Sequence, residues 1–443
     1  MIRFVRSIPL FPLLVLAAVP LRAQTTVAGY GTTVRALPAG TATFAAWPNA
    51  VAWFDGTAVV FQENGQPPRS LLQFATPRFG SFLVPLDADR LLFAESSFDE
   101  VWLVPVAAGA QPQLLAHVHF AYDAAPLGSG RAIVSAKTGG FGAGANDLVA
   151  LDLASGTTTA IGLVAGASGP VAIAHNGDLL YATAPNTFPP PLGTVELLRW
   201  SATQWAQALA GGPLLARGNA QLLAAGLDSA GDLALDDDDD VLFVDYLNGR
   251  VAECSDLHAG PGAPSTLVDY ALASVTPAAL TFVAGAAAPA PLLQFEPFAQ
   301  PGAGALLVLE TDFVGVSQLR SIDARAATLA SVPGGVVPAG PFAIQLQSGP
   351  AVGVALFALG TVRTGVPVPV QFPGIEQVVG WDAGLFFPEL TSVQFLGPLG
   401  DAAWQLVNPG FAPGLQVHVQ VLFANATATQ IGTTAALTIQ LGP

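Results

Sequence analysis

A polar turn followed by a four-residue apolar run recurs six times along this chain, and no other feature restricts its fold as tightly. The runs are 58–61 (AVVF), 91–94 (LLFA), 132–135 (AIVS), 179–182 (LLYA), 241–244 (VLFV) and 306–309 (LLVL), each led by a turn rich in Gly, Asp or Asn. Most copies carry an apolar strand ahead of the turn, as at 171–174 and 233–235, and several another behind it, as at 101–106, 147–153, 195–200 and 318–322. Strand, tight turn, strand, loop, strand is an antiparallel meander. One meander cannot bury both of its faces, so a succession of them predicts a propeller or a solenoid. With 47 Gly and 37 Pro among 443 residues, short elements are punctuated throughout, which favours an all-β fold over a helical one.

Spacing narrows the choice. Turn centres near 55, 88, 129, 177, 238 and 303 lie 33, 41, 48, 61 and 65 residues apart. The first three intervals suit propeller blades of about 40 to 50 residues. The last two predict insertions, at 210–221 and 257–291. Six blades is the primary count, with a degenerate seventh at 278–295 as the alternative. The fifth copy, 231–251 (GDLALDDDDDVLFVDYLNGRV), and the fourth, 169–182 (GPVAIAHNGDLLYA), resemble NHL-type propeller repeats. The resemblance extends over about 28–331 and implies a fold without an activity, because such repeats occur in unrelated binders and enzymes. Residues 32–37 are expected to close the ring as the outer strand of the last blade, hiding its edge.

A Gly/Pro-rich stretch, 332–340, is expected to join the propeller, 24–331, to a different tail, 341–443. The tail holds four acids and one base, Arg363, and alternating strands at 342–346, 353–359, 403–406, 415–422 and 435–441. Short strands split by Pro/Gly turns predict a small β-sandwich. The early ALFALG strand and the closing TIQLG strand resemble C-terminal domains of exported proteins from planctomycete-like bacteria. That resemblance implies an accessory or surface-attachment role.

At the other end, Arg3 and Arg6 precede an apolar stretch at 8–19, and Ala23 offers a cleavage point, so residues 1–23 read as a signal peptide. About a dozen apolar residues fall short of the roughly 18 to 20 that span a bilayer. The chain is expected to be secreted or held in the cell envelope, with no membrane span after cleavage. Losing the three arginines of the first 24 residues takes the net charge from −16 to −19. Such a surface argues against nucleic acid and against anionic lipid as partners. Cys254 is the single cysteine, so no disulfide forms within the chain, and it reads as a small core residue.

Candidate chemistry centres on the residues that follow the apolar runs: Gln62, Glu95, Ala136, Thr183, Asp245 and Glu310. If each run is the second strand of a blade, these positions are expected to face the mouth of the central channel. Glu95, Asp245 and Glu310 could therefore converge as a ligand-binding set, with Asp245 and Glu310 the candidates for Ca²⁺ or another divalent cation. Propellers similar to the gluconolactonase family use acidic and amide residues around a channel metal, but the full ligand pattern is missing here and none of its residues is carried over. The plainer reading is that these acids cap strands, pair with Arg or bind loop backbone. The run at 236–240 departs from the EF-hand pattern and reads as a solvated turn. His117 and His119 would share one face of a strand, without a third ligand at a metal-binding spacing. Trp47, Trp53, Trp102, Trp200 and Trp205 could line a carbohydrate groove, but the plainer expectation is that they pack between blades.

No Gly-x-Ser-x-Gly elbow or phosphate loop is present. The sequence therefore favours an exported, non-catalytic propeller that binds an extracellular or cell-surface ligand on its channel face. A metal-assisted hydrolase, lactonase or lyase is the first alternative, and a structural cell-envelope protein the second.

Overall fold

The computed structural model describes residues 25–26, 30–128, 130–140, 144–187, 190–236, 239–254, 264–270, 273–284, 304–312, 315–324, 327–347, 349, 353–371, 378–397, 400–411, 414–424 and 431–443. Residues 1–23, expected to be a signal peptide, lie outside them. Among the described residues, six antiparallel sheets follow one another in chain order. The first is Thr43–Trp47, Ala50–Phe54, Ala58–Glu63 and Arg69–Gln73, and the second Gly80–Pro85, Arg90–Glu95, Glu100–Pro105 and Gln113–His117. The third is Asp123–Leu127, Arg131–Ala136, Ala145–Asp152 and Thr158–Ala165, and the fourth Val171–Ile173, Leu179–Ala182, Val195–Trp200 and Gln221–Leu227. The fifth is Leu233–Leu235, Val241–Asp245, Arg250–Cys254 and Ser265–Asp269, with Thr25–Thr26 along its outer edge. The sixth joins Thr276–Ala284, Gly304–Thr311 and Ser317–Ala324 to the distant strand Tyr30–Leu37. Of the stretch 278–295 weighed as a seventh blade, the described residues 278–284 belong to the inner strand of the sixth sheet, and the rest lies outside the described residues.

Each apolar run serves two cores at once. Leu91 and Phe93 pack with the first sheet, whereas Leu92 and Ala94 pack with the third. Val241 and Phe243 face the fourth sheet, and Leu242 and Val244 the sixth. Successive side chains of a strand point to opposite faces, so a strand sandwiched between two neighbours must be apolar at every position. Six such interfaces follow in sequence, and the last, built from Leu37, Phe44, Trp53, Leu309 and Leu319, joins the sixth sheet back to the first. The innermost strands of consecutive sheets lie side by side around a central channel, and Thr276–Ala284 returns to Thr43–Trp47. The ring is a β-propeller.

One repeat sits differently from the expectation. Residues 58–61 lie in the third strand of the first sheet; the second is Ala50–Phe54, buried throughout and led by the turn at Pro48 and Asn49. From Asn49 to Ala88 is 39 residues, so the first interval matches the next two better than the turn at Asp55 suggested. The expected insertion in the fourth sheet starts earlier and is partly helical. Ser201 caps Ala202–Leu209 through a capping box with Gln204, and Trp205 Nε1 donates to the Gly177 carbonyl at 2.8 Å.

Among the described residues the C-terminal part forms two sheets over a separate core and a two-stranded ribbon of Pro367–Gln371 and Val378–Asp382. Thr328–Val332, Gly340–Gln347 and Ala402–Asn408 make the smaller. The larger runs Val336–Val337, Leu437–Leu441, Leu415–Ala424, Val354–Gly360 and Leu390–Phe395 in spatial order. Phe342, Ile344 and Trp404 from the smaller meet Phe357, Val419, Val421 and Phe423 from the larger, with Phe357 and Trp404 stacked at 4.9 Å. The Gly/Pro-rich stretch expected as a joint supplies strands to both sheets, its glycines and prolines serving as turns inside the module.

Candidate ligand-binding channel

Glu95, Asp245 and Glu310 do stand at or next to the ends of second strands, and all three are buried. Their oxygens are already occupied. Glu95 accepts from Arg78 at 3.1 Å and from the backbone N–H groups of Ser97, Phe98 and Glu100. Asp245 accepts from Ser229 Oγ, Asn248 Nδ2 and Arg250 Nε at 2.7, 2.8 and 2.8 Å. Glu310 takes Tyr270 Oη and Gln318 Nε2, both at 2.6 Å, and Arg320. A buried carboxylate needs this degree of compensation. None of the three lines the channel or its mouth, and among the described residues no group of three His, Cys, Asp or Glu is placed to hold a metal ion. The convergence expected of them, and of Asp245 and Glu310 toward a cation, is replaced by three local latches.

Other sequence candidates also resolve into structure. Asp236, Asp239 and Asp240 are buried rather than solvated, with 237–238 outside the described residues, and Asp239 Oδ1 receives His175 N and Nδ1 at 2.9 and 2.8 Å. The run ties the fifth sheet to the fourth. The strand carrying His117 stops there, so His119 lies beyond it and bonds Asp99 Oδ2 through Nδ1 at 2.5 Å. Cys254 is buried and its thiol is pushed up to about 11, chiefly by desolvation. Trp53 and Trp200 are buried between sheets.

The open space lies on the axis. On the face of the second-strand ends, a mouth cavity of about 500 Å³ is walled by Phe120, Tyr122, Tyr246, Lys137, Asn186 and several serines. Below it, inner strands of all six sheets surround a channel of about 460 Å³ that holds Asp123, Asp232 and His175. Tyr122 borders both. Its hydroxyl donates to the Gly231 carbonyl at 2.7 Å, so the side chain crosses from the third sheet to the fifth and stoppers the channel. A Cβ on Gly231 would stand 3.2 Å from the Tyr246 ring, so a larger residue there would press on the wall of the mouth. Tyr122 keeps 38% exposure, but that surface faces the interior of the ring.

Lys137, the single lysine, is buried at the mouth. Its ammonium donates to Gly166 O and Asn186 Oδ1 at 2.8 Å each and to Ala145 O at 3.4 Å, clamping the third sheet to the fourth. Burial pulls its proton affinity down, opposed by the charge of Asp147.

Asp123 and Asp232 occupy matching positions ahead of inner strands. Asp123 accepts from Ala124 N and from Val171 N in the next sheet, both at 2.8 Å; Asp232 does the same with Leu233 N and Leu280 N at 2.9 and 2.8 Å. Desolvation pushes Asp123 up to about 7, and desolvation with the Asp123 charge raises Asp232 well above the carboxylate range. The folded protein therefore keeps protons that the unfolded chain loses near pH 4. The stability this contributes is full below that pH and is lost as pH rises toward 7. Asp123→Asn should gain on the wild type across this window: the difference in Tm, variant minus wild type, is expected to rise by about 3 to 6 °C between pH 4 and 7.5. A difference independent of pH would show that the pair does not hold its protons.

The sequence reading missed this group. A Tyr122-Asp123-Ala124 and Gly231-Asp232-Leu233 match was available in register, and Lys137 stood out by rarity, but nothing local to either distinguishes a channel wall from a strand cap.

Neither a protein-family model nor a curated protein sequence matches the chain. Among solved structures, it is similar to a streptogramin B lyase at 11% identity, covering 66% of this chain and 98% of that one with a TM-score of 0.43. A gluconolactonase from Xanthomonas campestris gives 13%, 68% and 89%, with 0.44. YCF48 bound to D1 peptide gives 10%, 68% and 98%, with 0.37.

Proposed function

We propose that this chain is an exported binding protein that takes a small ligand in the mouth of the propeller channel, with the C-terminal module as an attachment or accessory unit. The observation that carries the reading is the stoppered cavity itself: about 500 Å³, aromatic and apolar on most of its wall, with hydroxyl and amide groups set into it. Binding sites for small molecules have that composition. The lysine at its wall has three acceptors of its own, and the carboxylates on that face are held by arginines and backbone. An uncharged, ring-bearing molecule suits such a surface better than a strongly charged one.

The lactonase alternative has one observation in its favour, the proton-retaining Asp123 and Asp232 in the channel, but Tyr122 stands between them and the mouth. Ligand-observed NMR with uncharged aromatic and sugar fragments tests the binding reading. Fragments are expected to bind, and Tyr246→Ala, which trims a half-exposed wall residue, should weaken them at least about tenfold. Fragment binding indifferent to Tyr246→Ala and Asn186→Ala would place the ligand elsewhere.

A further inference from the structure

The C-terminal module leaves one side uncovered. Leu390–Phe395 is the last strand of the larger sheet, bonded to Val354–Gly360 on one side and to no other strand among the described residues on the other. Ala402–Asn408 is likewise the last strand of the smaller sheet, and Gln394 Nε2 reaches its Ala403 carbonyl at 3.1 Å, so the two free edges lie together. Cross-strand register assigns the side chains. Ser392 and Gln394 stand opposite Phe357 and Ala355 of the core. Val393 and Phe395 therefore point outward, 62% and 85% exposed. They head two apolar rows on the outer face, Val393 with Leu356 and Leu422, and Phe395 with Val354 and Ala424.

A free edge flanked by apolar side chains is a template for another strand, and soluble proteins ordinarily break such edges with Lys, Pro or a bulge. Here Leu390–Phe395 is LTSVQF and Ala402–Asn408 is AAWQLVN, with no charge in either. The neighbouring Glu389 is held by Thr361 N and Oγ1 at 3.0 and 2.6 Å. In a chain of net charge −16, two copies repel over most of their surface. Along Leu390–Phe395 itself they meet without opposing like charges, the nearest acids being Glu389 and Asp401 beyond its ends.

We propose that Leu390–Phe395 is a homodimer interface, in which two copies pair this strand antiparallel about a two-fold axis and continue the larger sheet from one module into the next. Antiparallel pairing of identical strands is self-complementary, as an isologous contact must be. With Val393 on the axis, Phe395 of each copy lies opposite Thr391 of the other and covers the outer rows.

Sedimentation velocity of the chain from Gln24, between about 1 and 50 µM, tests this. The wild type is expected to dimerise, and Val393→Lys and Phe395→Lys each to raise the dissociation constant at least about tenfold, with the thermal transition of dilute, monomeric samples unchanged. Should the lysines disturb the fold, oxidation of Val393→Cys is the second arm: cross-linking to a covalent dimer supports the interface, and failure to cross-link overturns it. A wild type monomeric throughout, a dimer indifferent to both lysines, or a monomer that instead floats with lipid vesicles would each overturn the proposal.

Discussion

A chain beginning at Pro38 is expected to lose cooperative folding. Tyr30–Leu37 is the outer strand of the sixth sheet, paired residue by residue with Ser317–Ala324 although almost three hundred residues separate them in the chain. Its loss removes Leu37 from the core that joins the first sheet to the sixth, and Arg35 from the Gln62 side chain and from the face of Trp53, 5.6 Å from its guanidinium. The edge left behind would be a long, fully exposed strand of the kind that recruits other chains. Because a ring shares its closure among all its sheets, the defect is not confined to one of them. The truncated protein should elute as aggregate, or melt at least about 15 °C below the full chain, given several kcal/mol of lost pairing and burial. A synthetic peptide of residues 28–38 at about 100 µM should recover part of the transition, since it binds only the folded ring. A truncated chain that melts within about 3 °C of the full one would mean that the ring closes by other contacts.

That closure was legible in the sequence, because a strand at 32–37 ahead of the first repeat can serve as the outer strand of the last blade and hide its edge. The same logic failed at the first repeat, where the Pro48-Asn49 turn that begins the second strand is a poorer match to the repeat than the Asp55-Gly56 turn one strand later, which leads 58–61. Position along a repeat was thus readable, but chemistry at that position was not. Glu95 and Asp123 are both acids at strand ends. One is held by an arginine and loop amides and the other stands in a channel, and only the partners arriving from distant sequence distinguish them. The Asp run taught the same lesson in reverse: five adjacent acids read as solvated, yet the described ones are buried, with Asp239 bonded to His175 some sixty residues away. The C-terminal edge escaped notice because an uncharged strand looks alike whether paired or free.

Replacing Glu310 by Gln should cost about 3 to 5 kcal/mol and lower Tm by about 6 to 12 °C. The carboxylate is fully buried and receives Arg320, Tyr270 and Gln318; the substitution keeps the shape and removes the charge, leaving the buried guanidinium of Arg320 without its counter-ion. Breaking one member of a buried pair is more costly than removing both, so Glu310→Leu with Arg320→Met should recover about half of the loss, the rest remaining with the unfulfilled Tyr270 hydroxyl and Gln318 amide. The exposed pair Arg90 and Asp87 is the contrast: with both side chains open to solvent, Asp87→Asn should shift Tm by no more than about 1 °C. Thermal melts of the three variants decide the role of the acid that the sequence most invited one to read as a ligand. If Glu310 served a bound cation instead, Glu310→Gln would strip that cation, and the wild type would melt lower in chelator; as a latch within the sixth sheet, its loss is equally large with chelator or without.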